Sequence, residues 1–123
     1  MQIEVLKEEF CICKLGELSE VNFTRDFVFV GKTDEEISLV CDTESVPLDT
    51  LSVEAGWRGM RISMELDFSL VGIIARISSI LAEEKIGIFV VSTYLTDYIF
   101  IKKENLKKAI EALKAHGYEI LGE

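Results

Sequence analysis

Alternating and helix-like spacings of apolar residues divide the chain into short predicted elements. Met60, Ile62 and Met64 alternate with polar residues, which is the period of a half-buried strand. Apolar positions within 70–81 and within 106–113 recur every three or four residues, so both stretches predict amphipathic helices. β-Branched and aromatic content predicts further strands at 27–30, 37–41, 87–92, 98–102 and 118–121.

The order of these elements favours one fold class. Residues 57–123 give strand, helix, strand, strand, helix, strand, the ferredoxin-like order in which an antiparallel four-stranded sheet carries two helices on one face. An extended segment at 1–15 and a hairpin from Phe27 to Cys41 form what looks like a shortened version of the same unit. We therefore expect an α+β protein of two tandem βαββαβ units, with domains at 1–56 and 57–123. Such sheets leave one face and their edges in need of partners, which a neighbouring unit or a homodimer supplies.

The charge is unevenly spread along the chain. Residues 1–56 hold 4 Lys/Arg and 13 Asp/Glu and residues 57–123 hold 9 of each, so the net charge of −9 lies in the first part. This excludes nucleic acid as a partner, because neutralising phosphates requires a basic face. Residues 1–7 alternate apolar and polar and lack the basic region and long apolar core of a signal peptide. No apolar run approaches the roughly 18 residues of a membrane helix. We expect a soluble, cytoplasmic protein that does not associate with membranes.

Metal binding and catalysis lack their usual residues. Cys11, Cys13 and Cys41 are odd in number and form no C-x-x-C pair, so buried reduced thiols are expected in place of a metal site. The single histidine, His116, falls at the end of the last predicted helix, which is a poor position for a general base. No Walker loop, G-x-S-x-G or G-x-G-x-x-G motif occurs. We expect no enzyme activity and no cofactor.

The segment 66–73, which enters the first clear helix, is one candidate ligand-binding element. Free backbone N–H groups at a helix start attract anions, and the helix dipole adds to this. Gly72 has no side chain, so a ligand carboxylate can approach the backbone closely. The alternative, which these residues alone favour, is that Gly72 only permits tight packing of the helix on the sheet.

The turn from Ser92 to Asp97 is a second candidate. Asp97 is a possible counter-charge for a ligand ammonium group, and Thr93 and Thr96 offer hydrogen bonds. The alternative is ordinary hairpin chemistry, because Asp and Thr side chains commonly organise turns. Together the two candidates offer donors for a carboxylate and an acid for an amine, the two charges that an α-amino acid carries on one carbon. They need not meet within one copy, and can meet across a domain or subunit interface.

Several blocks of the sequence resemble ACT-domain proteins, in particular small bacterial two-domain members related to the eukaryotic cytosolic arginine sensors. The blocks, in their order and spacing, are FVGKTDEEISLV at 29–40, GWR at 56–58, LDFSLVGI at 66–73 and IFVVSTYLTDYI at 88–99. The resemblance implies tandem ACT-like domains and the sensing of a small ligand, usually an amino acid. The related sensors carry four ACT modules and this chain carries two, so a homodimer would restore four.

The resemblance also implies site residues. The loop entering the helix binds the ligand carboxylate through its backbone in the related sensors, the following turn lines the pocket, and an acid contacts the ligand. These positions map onto Ser69, Val71, Gly72 and Ile73, onto Ser92, Thr93 and Tyr94, and onto Asp97. The expected function is a non-catalytic amino-acid-binding regulatory module. The alternative is a ligand-free dimerisation or docking module whose acidic first half is the docking face.

Overall fold

A computed structural model describes residues 1–63 and 71–123 of the chain. The described residues form seven strands and two α-helices. The strands are β1 (Gln2–Leu15), β2 (Phe29–Lys32), β3 (Ile37–Asp42), β4 (Thr50–Ile62), β5 (Phe89–Ser92), β6 (Asp97–Lys102) and β7 (Glu119–Leu121). The helices are α1 (Ile73–Glu83) and α2 (Leu106–Ala115), and short 3-10 turns occur at Thr43–Ser45 and Lys103–Asn105.

The chain divides into two compact units. The small unit is Glu8–Trp57, and the large unit combines Met1–Lys7 with Arg58–Glu123. The expected domains, 1–56 and 57–123, differ from these units chiefly in the first seven residues, which belong to the large unit. The physical reason is burial, since Ile3 and Val5 lie in the same apolar core as the helices of the large unit.

The large unit has the expected order of strand, helix, strand, strand, helix, strand in residues 58–123. β5 pairs with β6 in antiparallel register, β6 neighbours β4, and β4 neighbours the first residues of β1. The last strand, β7, pairs in parallel with β1, with Ile3 opposite Ile120. In a ferredoxin-like unit the last strand lies beside the first strand of the same unit, which here would be β4. In this chain β7 lies beside β1 instead, and β1 in turn neighbours β4.

The two helices of the large unit pack on the sheet through one apolar core. Ile77, Leu81 and Leu113 are fully buried, and they pack in one cluster with Ile99 and Ile101 of β6. The helical residues recur on one stripe of each helix, and β6 supplies every second residue, as the two periodicities require. The predicted pair of helices on an antiparallel sheet is therefore present in this unit.

The small unit consists of strands and one 3-10 turn. β2 pairs with β3 and β3 pairs with β1, both in antiparallel register. Its core contains Cys11, Cys13 and Cys41, which are free and buried as the sequence predicts, together with Leu15 and Leu39. No α-helix occurs in Glu8–Trp57, so a second ferredoxin-like unit is not confirmed there.

The two units share one local design, a hairpin followed by a 3-10 turn. In the small unit, Phe29 pairs with Val40 and the Thr33 N–H donates to Glu36 O at 2.9 Å. Sixty positions later, Phe89 pairs with Phe100 and the Thr93 N–H donates to Thr96 O at the same distance. The 3-10 turns Thr43–Ser45 and Lys103–Asn105 keep the same offset.

Candidate functional site

Gly72 begins α1 in a conformation that side chains disfavour. Its φ is +81° and its ψ is 5°, in the left-handed region, and no side chain of the described residues makes a capping hydrogen bond there. Its carbonyl accepts the first helical hydrogen bond from the Arg76 N–H at 3.0 Å. A Cβ at position 72 would lie 3.1 Å from Arg76 Nη1. Among the described residues, the atoms close to Gly72 are thus those of the Arg76 side chain and not of the sheet.

The other predicted residues of this segment differ in what they can offer a ligand. Val71 is 82% exposed, and its side chain is available at the surface. Ile73 is buried in the core cluster, so only its backbone can face a ligand. Ser69 lies outside the described residues. The helix start therefore brings together the exposed backbone of Gly72 and the guanidinium of Arg76, a residue that was not predicted as part of a site.

A cavity of about 510 Å³ opens beside this helix start. Its lining combines a cation, an anion, an imidazole and apolar surface: Gly72, Ala75, Arg76, Ser79, Ile80, Glu83, His116 and Tyr118. Arg76 lies one helical turn from Gly72, whereas Glu83 lies two turns further along α1. The His116 Nδ1–H donates to Ala112 O at 2.9 Å, which orients the ring at the end of α2. We call this cavity the helix groove.

The turn from Ser92 to Asp97 is held closed by its own side chains. Ser92 and Asp97 face each other across the β5–β6 hairpin, and the Ser92 hydroxyl donates to Asp97 Oδ1 at 2.5 Å. The Thr93 hydroxyl donates to Thr96 O at 2.9 Å. Hairpin chemistry therefore accounts for these contacts, and Asp97 carries a hydrogen-bonded carboxylate that stays half-exposed. Tyr94 is 77% exposed at the tip.

A second cavity, of about 320 Å³, is lined in part by residues of this turn. Strands β1, β4 and β6 and the turn contribute its lining: Glu4, Arg61, Ile62, Ser63, Thr93, Leu95, Thr96 and Tyr98. We call it the strand cavity. Gly72 and Thr93, predicted as parts of one site, thus line different cavities of the large unit.

An ion pair organises the strand cavity. Arg61 Nε lies 3.0 Å from Glu4 Oε1, and Arg61 Nη1 lies 3.5 Å from the Tyr98 hydroxyl. The hydrogen bond with Tyr98 raises the pKa of Arg61, as does the Glu4 carboxylate, although partial burial opposes both. Neither Glu4 nor Arg61 was predicted as a site residue. Glu4 lies between buried Ile3 and Val5, and Arg61 lies between buried Met60 and Ile62. Because side chains alternate along a strand, Glu4 and Arg61 lie on the face of the sheet opposite the core. The alternation of apolar and polar residues in the sequence indicates this placement.

A family model for the ACT domain matches residues 52–115. The chain belongs to the ACT domain family. It therefore has the ACT-domain fold, of the α+β class, with an antiparallel sheet and two helices. A search of the curated proteins found none that matches it.

Solved structures support this fold. A protein from Agobacterium tumefaciens is 29% identical, with a TM-score of 0.88 over 99% of this chain and 92% of that one. A Vibrio cholerae protein of unknown function, described as a possible transport protein, is 23% identical, with a TM-score of 0.72 over 93% and 88% of the two chains. The ligand-free regulatory subunit of Thermus thermophilus aspartate kinase is 10% identical, with a TM-score of 0.65 over 94% and 96%. The last two share the fold.

Two further properties concern the described residues alone. Neither helix in 1–63 and 71–123 is long and apolar enough to cross a membrane. Over the same ranges, no three His, Cys, Asp or Glu side chains are grouped so that they could hold a metal ion.

Proposed function

We propose that this ACT-domain chain is a non-catalytic regulatory module that binds a free amino acid. The observation that carries the proposal is the helix start at Gly72, where exposed backbone and the Arg76 guanidinium come together. Backbone N–H groups, the positive end of the helix dipole and a guanidinium all favour a carboxylate. The likeness to a regulatory subunit of aspartate kinase is consistent with this function.

The amine side of the pocket is proposed to come from a second copy of the chain. Asp97 supplies a half-exposed carboxylate on a turn that is already held in shape, so little ordering is needed on binding. Gly72 and Thr93 line different cavities within one copy. A homodimer that brings the turn of one copy to the helix start of the other would give a ligand both of its charge partners.

The tandem arrangement is part of the same proposal. The hairpins of the two units share their pairing register, their turn hydrogen bond and the 3-10 turn that follows. This similarity supports the interpretation of the small unit as a shortened ACT-like domain. A homodimer would then contain four ACT-like units, two from each chain. Charge separates their roles, since the acidic residues of the small unit do not favour a ligand carboxylate.

A thermal-shift screen tests the function. Purified protein is dialysed free of amino acids and heated with each natural amino acid in turn. Ligand at about a hundred times its Kd would add roughly 2.7 kcal/mol to the free energy of unfolding, a shift that is easily measured. Arg76→Gln should reduce the shift, whereas Lys107→Gln, on the exposed surface of α2, should not. A folded protein whose midpoint no amino acid raises contradicts the proposal.

A second function is favoured by the surface of the small unit. It exposes large apolar side chains: Phe23 at 64%, Leu48 at 95%, Leu51 at 64% and Val53 at 43%. Leu51 and Val53 lie two residues apart on β4, and therefore on one face of the strand. Exposed apolar clusters mark association surfaces. A dimer that forms equally with and without amino acids, and is lost in Leu51→Lys, would favour a ligand-free dimerisation module.

A further inference from the structure

The strand cavity collects polar groups of several kinds in a small volume. The cavity of about 320 Å³ is lined by Arg61, by Glu4 and by four residues that carry hydroxyls: Ser63, Thr93, Thr96 and Tyr98. Leu95, which is 55% exposed, supplies apolar side-chain surface to the lining. Ligand sites are concave and carry a few convergent polar groups among apolar ones. None of the groups on the helix groove is shared with this cavity.

The walls of the strand cavity are fixed before any ligand arrives. The buried Thr96 hydroxyl donates to Ile62 O at 2.9 Å, which ties the β5–β6 turn to β4. The Ser63 N–H donates to Gln2 O at 3.1 Å, which ties the end of β4 to β1. The polar side chains therefore project from paired strands and a closed turn. Sites built on such elements lose little entropy on binding.

The charges of the strand cavity select the class of ligand. Glu4 Oε1 lies 3.0 Å from Arg61 Nε, so any group that contacts one of these side chains also feels the other. A lone anion beside Arg61 is repelled by Glu4, and a lone cation beside Glu4 is repelled by Arg61. A ligand that carries both charges places its carboxylate near the guanidinium and its ammonium near the carboxylate. The four charges then alternate in sign.

We propose that the strand cavity is a second ligand site, which binds a small zwitterion through Arg61 and Glu4. This site is independent of the helix start proposed above. The hydroxyl of Tyr98 adds a hydrogen bond to the ligand carboxylate. The cavity volume of about 320 Å³ admits a small amino acid with space for bridging waters.

Nuclear magnetic resonance with three simple probes tests the proposal. β-Alanine carries both charges, acetate only the negative one and ethylamine only the positive one. β-Alanine should cause saturable shifts at the Arg61 Nε–H and at the amides of Thr93, Thr96 and Tyr98. Acetate and ethylamine should bind about tenfold more weakly. Acetate that binds as well as β-alanine, or an absence of saturable shifts, would overturn the assignment.

A single-atom variant tests the charge argument. Glu4→Gln removes the partner of the ligand ammonium and keeps the shape, so the affinity for β-alanine should fall about tenfold while that for acetate rises. Glu8→Gln, on the same strand but outside the cavity, should change neither. Unchanged affinities in Glu4→Gln would contradict the proposal. Arg76→Gln, at the helix start, should leave the shifts caused by β-alanine intact. Failure of the helix-start site and failure of the strand-cavity site can therefore be told apart.

Discussion

The guanidinium of Arg76 lies beside Gly72 at the start of α1, with Nη1 only 3.1 Å from where a Cβ on Gly72 would be. The arginine is one helical turn after the glycine, so its side chain returns toward the helix start. Two features that attract anions, the helix start and a permanent cation, therefore occupy one place. This relationship is the basis of the proposed carboxylate site.

Replacing Gly72 with Ala should affect both folding and binding. The left-handed φ of +81° costs a residue with a Cβ roughly 1–2 kcal/mol, and the new methyl group pushes against Arg76. We expect a free energy of unfolding lower by roughly 1–2 kcal/mol and weaker amino-acid binding. Urea unfolding measures the first effect and calorimetry the second.

Gly87→Ala is the matched control for this variant. Gly87 has no left-handed φ, and a Cβ there would meet nothing within 4 Å. It should be neutral or slightly stabilising, because alanine lowers the entropy of the unfolded chain. Equal losses of stability in the two variants would contradict the argument from Gly72.

Thr96→Val tests how the β5–β6 turn is held. Thr96 is 8% exposed, and its hydroxyl donates to Ile62 O at 2.9 Å. The substitution keeps the shape and removes the donor, so a buried carbonyl loses a partner at a cost of about 1 kcal/mol. Thr43→Val removes a similar bond from an exposed site, to Glu9 O at 3.1 Å, together with the weak contact in which the Cys11 Sγ–H donates to Thr43 Oγ1 at 3.7 Å, and should cost less. Equal unfolding free energies for the two variants would show that the buried bond adds no more stability than the exposed one.

Alkaline pH should destabilise the small unit through Cys41. Burial, and then the neighbouring thiol of Cys13, raise the pKa of Cys41 from 9.0 to about 12. Between these values the unfolded chain loses the thiol proton and the folded chain keeps it. The free energy of unfolding should therefore fall as the pH rises through this interval, by at most ~1.4 kcal/mol per pH unit, and be unaffected by this thiol below it.

Chemical unfolding under reducing conditions, at several pH values across that interval, measures the effect. Cys41→Val provides the comparison, since valine does not ionise and suits a strand. The variant should lose less stability than the wild type as the pH rises. Identical losses would show that Cys41 does not carry the dependence.

Much of the large unit was predictable because its apolar periods are regular. α2 contains all of the predicted helical positions from 106 to 113, and β6 covers the predicted strand 98–102. The segment Thr50–Trp57 was not predicted as part of a strand. Residues 51–55 are exposed on both faces of β4. This part of the strand has no buried face, so the sequence shows no alternation of apolar and polar residues that would predict a strand there. The predicted domain boundary between residues 56 and 57 falls inside this strand.

The candidate site was predictable in its parts and not in its arrangement. Gly72 at a helix start and a closed turn at Ser92–Asp97 follow from local chemistry. Their separation into two cavities depends on pairings between distant strands, and above all on residues of β1 beside β4. Arg61 and Glu4 are 57 positions apart, and no local pattern joins them.

The most direct test of the central claim, that the chain binds a free amino acid at the helix start, is isothermal titration calorimetry with variants. The amino acid with the largest thermal shift is titrated into wild type, Arg76→Gln and Asp97→Ala. We predict saturable binding to the wild type and affinities about tenfold lower or worse in both variants. Saturable binding with unchanged affinity in Arg76→Gln, or no binding of any natural amino acid by the folded wild type, would contradict the account.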